Sequence, residues 1–572
     1  MELIQQFDLL AGSLGGVAKL RELILSLAVR GKLVPQDPAD ESASVLLQKI
    51  RTKKERLITK GTIKRDKPIA EIAEDEQPFA LPVGWSWQRL GNLGTIGSSS
   101  RVHQKDWTTS GVPFYRAREI VQLSKNDSVV NDLFITEDLF ISLSANGLTP
   151  APNDIMITGV GTIGVPYIVK SNDRFYFKDA SVLIFKNSFS LNAKYLTLFL
   201  KSPDWVSMIH ANSMGTTVHT LTIGRAADTT IPLPPLPEQS RIVAKVDELM
   251  ALCDRLEAEQ GLAARVQGHW VEAALAQLAD SADADEFARH WQHLAQHFDT
   301  LFTTPDSITQ LEATLLQLAV RGKLVPQDPN DEPASTLLQK IRTEKDRLIA
   351  EGKIKKDKPL PPISDEEKPF ALPEGWKWTR FGEVADISSG VTLGRKTPLK
   401  TPISLPYLRV ANVQRWRLNL AEIKEILIDD SEIDRFRLLD GDLLITEGGD
   451  WDKVGRTCIW RSQLNTCLHQ NHVFKARRIN TDWQPRWAEL FLNSVDARTY
   501  FASAAKQTTN LASINMTQLK SCPFPLPPLP EQSDIVAKLE ALLALTARLK
   551  TQLAKAQQAQ ALLADVLLET SI

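Results

Sequence analysis

Leu27 to Pro38 reads LAVRGKLVPQDP, and Leu318 to Pro329 repeats those twelve letters 291 positions later. The match continues outward. LLQKIRT at Leu46 to Thr52 returns at Leu337 to Thr343, PFALP at Pro78 to Pro82 returns at Pro369 to Pro373, and Trp85 and Trp87 return as Trp376 and Trp378. PLPPLPEQS follows in both copies, at Pro232 to Ser240 and at Pro525 to Ser533, with IVAK close behind each. Such a period is far beyond the roughly 20–50 residues of a solenoid repeat. The chain is a large unit joined to its own copy. Between the shared blocks, residues 95 to 230 and 386 to 522 differ almost everywhere, so variable inserts sit in a constant frame.

The frame reads as helix. Ile242, Val246, Leu249, Cys253 and Leu256 step by four and three, an a/d seam, and Ile535, Leu539, Leu542, Thr546, Leu549 and Leu553 repeat it. Leu3, Phe7, Leu10, Leu14 and Val17 form a weaker seam broken by glycines, and Ile308, Leu311, Leu315 and Leu318 a shorter one. Each LPPLPEQ run predicts a sharp helix entry, with prolines before it and Glu238 or Glu531 where the helix dipole favours an acid. A helix over about 242 to 278 is on the order of 55 Å long, enough to hold two modules more than one DNA turn (about 34 Å) apart. The inserts read as mixed α/β modules. Val112 to Tyr115, Ile155 to Thr158 and Val165 to Val169 predict strands in the first; Leu405 to Val410 and Leu443 to Thr446 predict them in the second.

The chain has 572 residues, 24% charged and 43% hydrophobic, with 67 Lys and Arg against 69 Asp and Glu. That length suggests three to five compact units. The net charge of −2 excludes a uniformly basic coat but not a basic face. Cys253, Cys458, Cys467 and Cys522 form no C-x-x-C pair, so neither a disulfide framework nor a zinc knuckle is expected. The first residues lack a basic n-region and apolar run, and Ile155 to Val169 is interrupted by three glycines and a proline. A soluble, cytoplasmic protein with no membrane segment is expected.

Catalytic patterns are incomplete. Gly159 to Gly164 spells G-x-G-x-x-G after a strand, yet Val165 to Val169 reads as another strand where a dinucleotide loop opens a helix. Gly390 to Thr397 approaches a phosphate loop, but Arg395 stands at its second glycine. Glu422-Ile423-Lys424 has no aspartate in the thirty residues before it, as a nuclease motif requires. His290, His293 and His297 share a helix face, where a polar surface competes with a metal site. His469 and His472 flank Gln470-Asn471 in a cluster suited to hydrogen bonding. No catalytic, cofactor or metal residues are assigned.

The inserts carry the recognition signal. Residues 97 to 230 hold 12 Lys and Arg against 11 acids, and residues 388 to 522 hold 19 against 14. Both are more positive than the whole. Arg116 and Arg118 alternate in Tyr115-Arg116-Ala117-Arg118-Glu119, and the aligned segment runs from Leu408 through Arg409, Asn412, Gln414 and Arg415 to Arg417. Arg, Asn and Gln have forks that fit guanine O6/N7 and adenine N6/N7. Lys453, Arg456, Gln470, Asn471 and His472 add basic and polar groups. Arg116, Arg118, Arg409, Asn412, Gln414, Arg415, Lys453, Arg456, Gln470, Asn471 and His472 are the candidate DNA-binding residues, a surface ion pair being the competing role for any single arginine. The basic repeats Lys49 to Lys67 and Lys340 to Lys358 have interspersed acids and read as solvated helix faces, with phosphate contact as a second possibility.

Two copies of Leu-Pro-x-Gly-Trp-x-Trp (81 to 87 and 372 to 378), the twin PLPPLPEQ joints leading into long helices, and Asp154-Ile155-Met156-Ile157 with Gly161-Thr162-Ile163-Gly164 resemble the specificity subunits of type I restriction-modification systems. Asp442-Leu443-Leu444-Ile445 with Val454-Gly455 is the looser counterpart of that last segment. Asn510-Leu511 ahead of the second joint faces Val218-His219-Thr220-Leu221 ahead of the first. The resemblance implies an α+β fold: two mixed α/β target-recognition domains separated by long antiparallel coiled-coil helices, with a pseudo-two-fold duplication. It implies an N-terminal helical frame at 1–80, recognition domains at 81–238 and 372–530, a central helical frame at 239–371 and a C-terminal long helix at 531–572. It implies a non-catalytic chain that reads a bipartite site in double-stranded DNA and binds no cofactor. Two modification (methyltransferase) subunits would bring S-adenosylmethionine, and restriction (motor-nuclease) subunits would bring ATP and Mg²⁺. A helical scaffold with two protein-binding modules is the alternative, and a self-contained methyltransferase or nuclease a third.

Overall fold

A computed structural model describes residues 10–13, 15–61, 69–126, 128–211, 220–394, 399–449, 453–481, 483–508 and 511–571. The chain forms two compact units, Met1–Leu262 with Gln557–Ile572, and Ala263–Ala556. Length alone suggests three to five. The number is lower because lobe and frame share cores: Ile155 and Ile157 of the first insert lie in one apolar cluster with Leu20, Leu27 and Val246 of the frame.

The first unit begins with helices α1 (Gly16–Val29) and α2 (Ala43–Thr59), then strand β1 (Ser86–Arg89). Its insert contains β2 (Thr95–Gly97), β3 (Val112–Tyr115), α3 (Ala117–Asn126), β4 (Phe134–Ile135), β5 (Ile155–Thr158), β6 (Pro166–Ile168), β7 (Tyr176–Phe177) and β8 (Val182–Lys186). After these come α4 (Ala193–Phe199), α5 (Pro203–Ala211), β9 (Thr230–Leu233) and the long helix α6 (Leu236–Ala279). One sheet runs β2-β8-β5-β6 and a second β4-β3-β7, in which β3 and β7 are parallel. All four residues of β5 are fully buried. Ile155 and Ile157 face the frame, whereas Met156 packs with Ile120 and Leu123 of α3 on the other side. A strand covered on both faces reads as a continuous apolar run, as Ile-Met-Ile does.

The second unit repeats this plan. It holds α7 (Ala284–Gln296), α8 (Pro305–Val320), α9 (Ala334–Ala350), β10 (Lys377–Arg380), β11 (Ala385–Ser389) and β12 (Pro402–Leu408). A short hairpin of β13 (Val413–Gln414) and β14 (Arg417–Leu418) precedes β15 (Lys424–Asp429), β16 (Leu443–Thr446), β17 (Gly448–Gly449), β18 (Thr457–Ile459), β19 (Leu468–His469) and β20 (Val473–Arg478). Then come α10 (Pro485–Leu492), α11 (Val495–Ala504), β21 (Lys506–Thr508), β22 (Leu511–Ser513), β23 (Pro523–Leu526) and the long helix α12 (Leu529–Ser571). The sheets run β11-β20-β16-β18 and β15-β12-β19, with β12 and β19 parallel. Strand for strand this is the order of the first insert, reached with different letters.

The repeated letters build one joint twice. β1 pairs antiparallel with β9, and β10 with β23, which ties the start of each lobe to its Pro-rich end. Glu238, at the entry of α6, accepts Trp85 Nε1 (2.9 Å) and Gln36 Nε2 (3.2 Å). Glu531, at the entry of α12, accepts Trp376 Nε1 (2.8 Å) and Gln327 Nε2 (2.9 Å). Burial pushes both carboxyls above the usual range, and these donors oppose it. Gln36 and Gln327 also donate to the carbonyls of Gly31 and Gly322, which end α1 and α8 in the left-handed conformation.

The long helices enter at the Pro-rich runs as the sequence predicts, with Glu238 and Glu531 in their first turns. α6 begins at Leu236 and spans 44 residues, about 66 Å at 1.5 Å per residue, longer than the 242 to 278 stretch alone. Pro237 sits in the first turn, where a missing N–H costs no intrahelical bond. The seams are as expected. Ile242, Val246 and Cys253 are buried in the first unit, as are Ile535, Leu539, Leu542 and Thr546, together with Ile308, Leu311, Leu315 and Leu318, in the second. Of the N-terminal seam, Leu10 and Val17 are buried, while Leu3, Phe7 and Leu14 lie outside the described residues. In the first unit α1 packs against α6 through Arg21 with Asp254 and Glu257, and against the end of α12 through Lys19 with Asp565. In the second unit Glu312 of α8 accepts Thr546 and Lys550 of α12. Among the described residues, no helix is long and apolar enough to cross a membrane.

Candidate nucleic-acid interface

In each lobe four chain segments meet where the two sheets join, and backbone groups bind them in the same pattern. Lys178 N–H donates to Tyr115 O (2.8 Å), as Gln470 N–H donates to Leu408 O (2.9 Å). Gly159 N–H donates to Ser181 O (2.8 Å), as Glu447 N–H donates to His472 O (3.0 Å). Leu221 N–H donates to Gly159 O and Ile514 N–H to Glu447 O, each at 2.9 Å. This last pair sets Leu221 opposite Ile514, so Thr220-Leu221 corresponds to Ser513-Ile514 and not to Leu511; Val218, His219 and Asn510 lie outside the described residues.

The glycine turn is one of these segments. Thr158 Oγ1 donates to Thr162 O and accepts Val165 N–H (2.9 Å), while Gly164 N–H reaches Thr158 O (2.7 Å). Thr446 Oγ1 donates to Lys453 O (2.7 Å) and accepts Arg456 N–H (3.0 Å), while Gly455 N–H reaches Thr446 O (3.1 Å). Gly164 and Gly455 have φ of +79° and +69°, and an added Cβ would run into Ile209 in one lobe and Phe501 in the other. The G-x-G-x-x-G pattern is therefore a strand-to-strand turn; β6 follows it, not a helix. Asp154 and Asp442 close the opposite end of these strands. Each accepts a backbone N–H three residues earlier (2.8 and 2.7 Å) and pairs with a cation, Lys186 or Arg477.

The candidate residues distribute unevenly over this scaffold. Arg116 and Arg118 are held together by the fully buried Glu119 (2.8 and 2.9 Å) and by Asp132. Burial opposes the Glu119 charge, but the two guanidinium groups and the Arg116 N–H outweigh it and keep its carboxyl low. Asn412 occupies the Glu119 position: its Oδ1 accepts Arg409 N–H (2.9 Å), just as Glu119 accepts Arg116 N–H. Asn412 is 3% exposed, and its amide donates to Asn419 O and Glu422 O. Folded in this way it offers no hydrogen-bonding edge to a base; it shapes the turn after β12. Arg409 is half-buried and reaches Glu422.

Gln414, Lys453 and Arg456 meet around Thr446, with Arg456 Nη1 donating to Gln414 Oε1 (2.8 Å). His472 is exposed, its Nδ1 2.5 Å from Glu447 Oε2, and the Asn471 amide lies beside its ring; Gln470 precedes them at the end of β19. Arg415 points elsewhere. It donates to Asn493 Oδ1 (3.0 Å) and, with Trp416 and Arg486, lines a cavity of about 520 Å³ against α8. Sequence reading missed the Lys178–Ser181 loop and Glu447. The signal for the first was available, since the twin Asp-x-x-x-Thr…Gly runs align the strands that flank both loops.

The remaining motifs take structural roles. His469 is fully buried, with Nδ1 2.7 Å from Val473 O, and burial followed by nearby Lys475 pushes its imidazole down to about 3. His290 contacts Ser281 Oγ (2.9 Å), and His293 and His297 stack edge to face on a cavity of about 670 Å³ that includes Trp270. Among the described residues no three His, Cys, Asp or Glu side chains are placed to hold a metal. Arg395 lies outside the described residues. Lys49 pairs with Glu41 and Lys340 with Glu332, while residues 62–67 of the first basic repeat lie outside the described residues.

A family profile described as the type I restriction modification DNA specificity domain matches residues 82–264 and again 373–557. The chain is similar to the type I restriction enzyme EcoEI specificity subunit of Escherichia coli, at 37% identity over 582 residues, covering 97% of this chain and 94% of that one. It is similar to the EcoAI specificity subunit of the same species at 36% identity over 586 residues, with the same coverage. Among solved structures, an HsdS subunit from Thermoanaerobacter tengcongensis aligns with 87% of this chain and 98% of that one, at 20% identity and a TM-score of 0.44.

Proposed function

Because the chain belongs to the type I restriction modification DNA specificity family, we propose that each of its inserts reads one half of a bipartite DNA site. The protein is the sequence-specific DNA-recognition subunit of a type I restriction-modification complex. The observation that carries the division between the lobes is the repeated four-segment constellation: identical backbone links in both inserts, with different polar side chains at equivalent places. A reader of two unlike half-sites needs this separation between a fixed scaffold and exchangeable base-facing groups.

Domains 81–238 and 372–530 are the readers in this proposal, and the frame segments 1–80, 239–371 and 531–572 carry them. In the second lobe Gln414, Lys453, Arg456, Gln470, Asn471 and His472 face DNA, with Arg409 beside them. In the first lobe Arg116 and Arg118 do so. Asn412 acts by shaping its loop, and Arg415 by bracing the hairpin against Asn493. The chain supplies no catalysis. Two methyltransferase subunits bring S-adenosylmethionine and act on an adenine turned out of the stack, and motor-nuclease subunits bring ATP and Mg²⁺. Cytoplasmic DNA is the setting this requires.

The test is an exchange. Residues 95 to 230 are replaced by the insert of a relative with a different target, and methylated adenines are mapped with the methyltransferase subunits present. One half of the target should change and the other persist. An unchanged pattern, or two altered halves, removes the one-lobe, one-half assignment. The scaffold reading separates on salt: DNA binding that weakens steeply with ionic strength belongs to a phosphate-contacting reader.

A further inference from the structure

The backbone links within each lobe also show which residues of the two inserts correspond, and single out two first-lobe residues, Lys178 and Asp179, that are not themselves among the candidate residues. Lys178 and Gln470 each follow a two-residue strand and donate their N–H to the last residue of β3 or β12. Val182 and Val473 lie opposite Thr158 and Thr446 in the central ladders. The loop Lys178-Asp179-Ala180-Ser181 is thus the counterpart of Gln470-Asn471-His472, one residue longer.

The extra residue is absorbed at Ala180, whose φ of +57° is left-handed, a conformation that costs any residue with a Cβ. It is held there. Ala180 N–H donates to Ser98 Oγ (3.1 Å), Ser181 N–H to Asp179 O (2.7 Å), and Val182 N–H to Lys178 O (3.2 Å). The backbone therefore presents Lys178 and Asp179 on a tight, braced loop. Both side chains are half-buried, and among the described residues neither makes a side-chain hydrogen bond or ion pair. Strained backbone that fixes unengaged polar groups at the meeting point of several loops is a common mark of a functional site.

Resting on the DNA-recognition reading above, we propose that Lys178 and Asp179 read a G·C pair in the first half-site, where Gln470 and Asn471 read an A·T pair in the second. The chemistry follows from the base edges: an ammonium donates to guanine O6 and N7, a carboxylate accepts from cytosine N4–H₂, and carboxamides suit adenine N6 and N7. Adjacent donor and acceptor groups match the two edges of one G·C pair in the major groove. Lys178 and Asp179 are specificity-determining residues here, acting beside Arg116 and Arg118.

The experiment uses the full chain with its methyltransferase subunits. Lys178→Gln, Asp179→Asn and the double change, which installs the Gln-Asn pair of the second lobe, are compared with the unaltered protein. Readouts are methylated-adenine mapping and competition binding against targets varied at each base pair. The expected result is a loss of discrimination of roughly ten- to a hundred-fold at one G·C position of one half-site, with the other half-site and the thermal unfolding unchanged. A uniform weakening over all sequences, with a salt slope smaller by about one phosphate contact, makes Lys178 a backbone contact and overturns the proposal. So does full binding with unaltered preference. Failure of the unaltered complex to bind DNA in a salt-dependent way would instead remove the underlying DNA-recognition reading.

Discussion

Replacing Gly322 with alanine tests whether the repeated joint holds lobe to frame as its geometry implies. Gly322 has φ +69°, and a Cβ built there lies 2.5 Å from Pro373 Cγ and 2.8 Å from Trp376 Cζ2. Neither neighbour yields easily. The proline ring is rigid, and the Trp376 indole is fixed by its bond to Glu531 and by edge-to-face contact with Trp487 at 5.4 Å. The left-handed conformation costs alanine about 1–2 kcal/mol, and overpacking a filled site adds about 1–3 kcal/mol. Gly352 supplies the control: its φ is +72° with nothing within 4 Å of the added Cβ, so Gly352→Ala pays only the backbone cost. The first unit offers the same pair, Gly31 against Pro82 and Trp85, and Gly61 in open space. Calorimetric melting of the four variants is the assay. At about 2–4 °C per kcal/mol for domains of this size, Gly322→Ala and Gly31→Ala should melt several degrees below Gly352→Ala and Gly61→Ala. Equal shifts within each pair would refute the joint as a packed, load-transmitting contact.

Arg456→Ala removes the donor to Gln414 Oε1 and should relax specificity in one half-site only, by about 1–3 kcal/mol; competition binding with half-site variants measures it, and equal losses in both halves contradict independent lobes. Burial, followed by repulsion from Arg477, brings the Lys475 ammonium down to about 8. Its folded value lies below the unfolded one of about 10.4, so between these pH values the unfolded chain holds more protons and stability rises with pH. The cost, roughly 3 kcal/mol, is fully present below pH 8. Urea unfolding at pH 7.5 and 9.5 should therefore show a rise that Lys475→Met flattens, and identical pH slopes in the two proteins would disprove it.

How much was legible in the sequence depends on whether a letter answers to a local partner or a distant one. The frame was readable because its seams repeat at helical spacing, and because Gly31, Gln36, Trp85 and Glu238 recur as Gly322, Gln327, Trp376 and Glu531 around one joint. In the inserts the longer apolar strands were readable too, Val112–Tyr115, Ile155–Thr158 and Leu443–Thr446 among them, but the pairing that joins them into sheets was not. Tyr176–Phe177 and Leu468–His469 are strands of two residues, too short to show alternation, and their parallel pairing with β3 and β12 joins residues about sixty positions apart in sequence. Arg116 and Arg118 stood out by charge, but nothing local revealed that the buried Glu119 organises both. Asn412 illustrates the reverse difficulty. A carboxamide binds a base edge and a backbone carbonyl with the same groups, and only burial separates the two roles.

Within the inserts, the letters that do agree between copies explain why the rest are free to differ. Asp154 and Asp442 hold a backbone N–H, Thr158 and Thr446 clamp the turn through a hydroxyl, and Gly164 and Gly455 stand where a Cβ cannot fit. These are side-chain requirements, and a substitution there breaks a contact. The links between segments, by contrast, run through main-chain groups: Lys178 to Tyr115 and Gln470 to Leu408, Gly159 to Ser181 and Glu447 to His472. Any residue except proline supplies that N–H, and every residue supplies that carbonyl. Lysine can therefore stand where the other lobe has glutamine, and glycine where it has glutamate, without loosening the scaffold. A recognition surface built in this way changes its target by exchange of side chains alone, while the strands, turn and joint beneath it remain as they are.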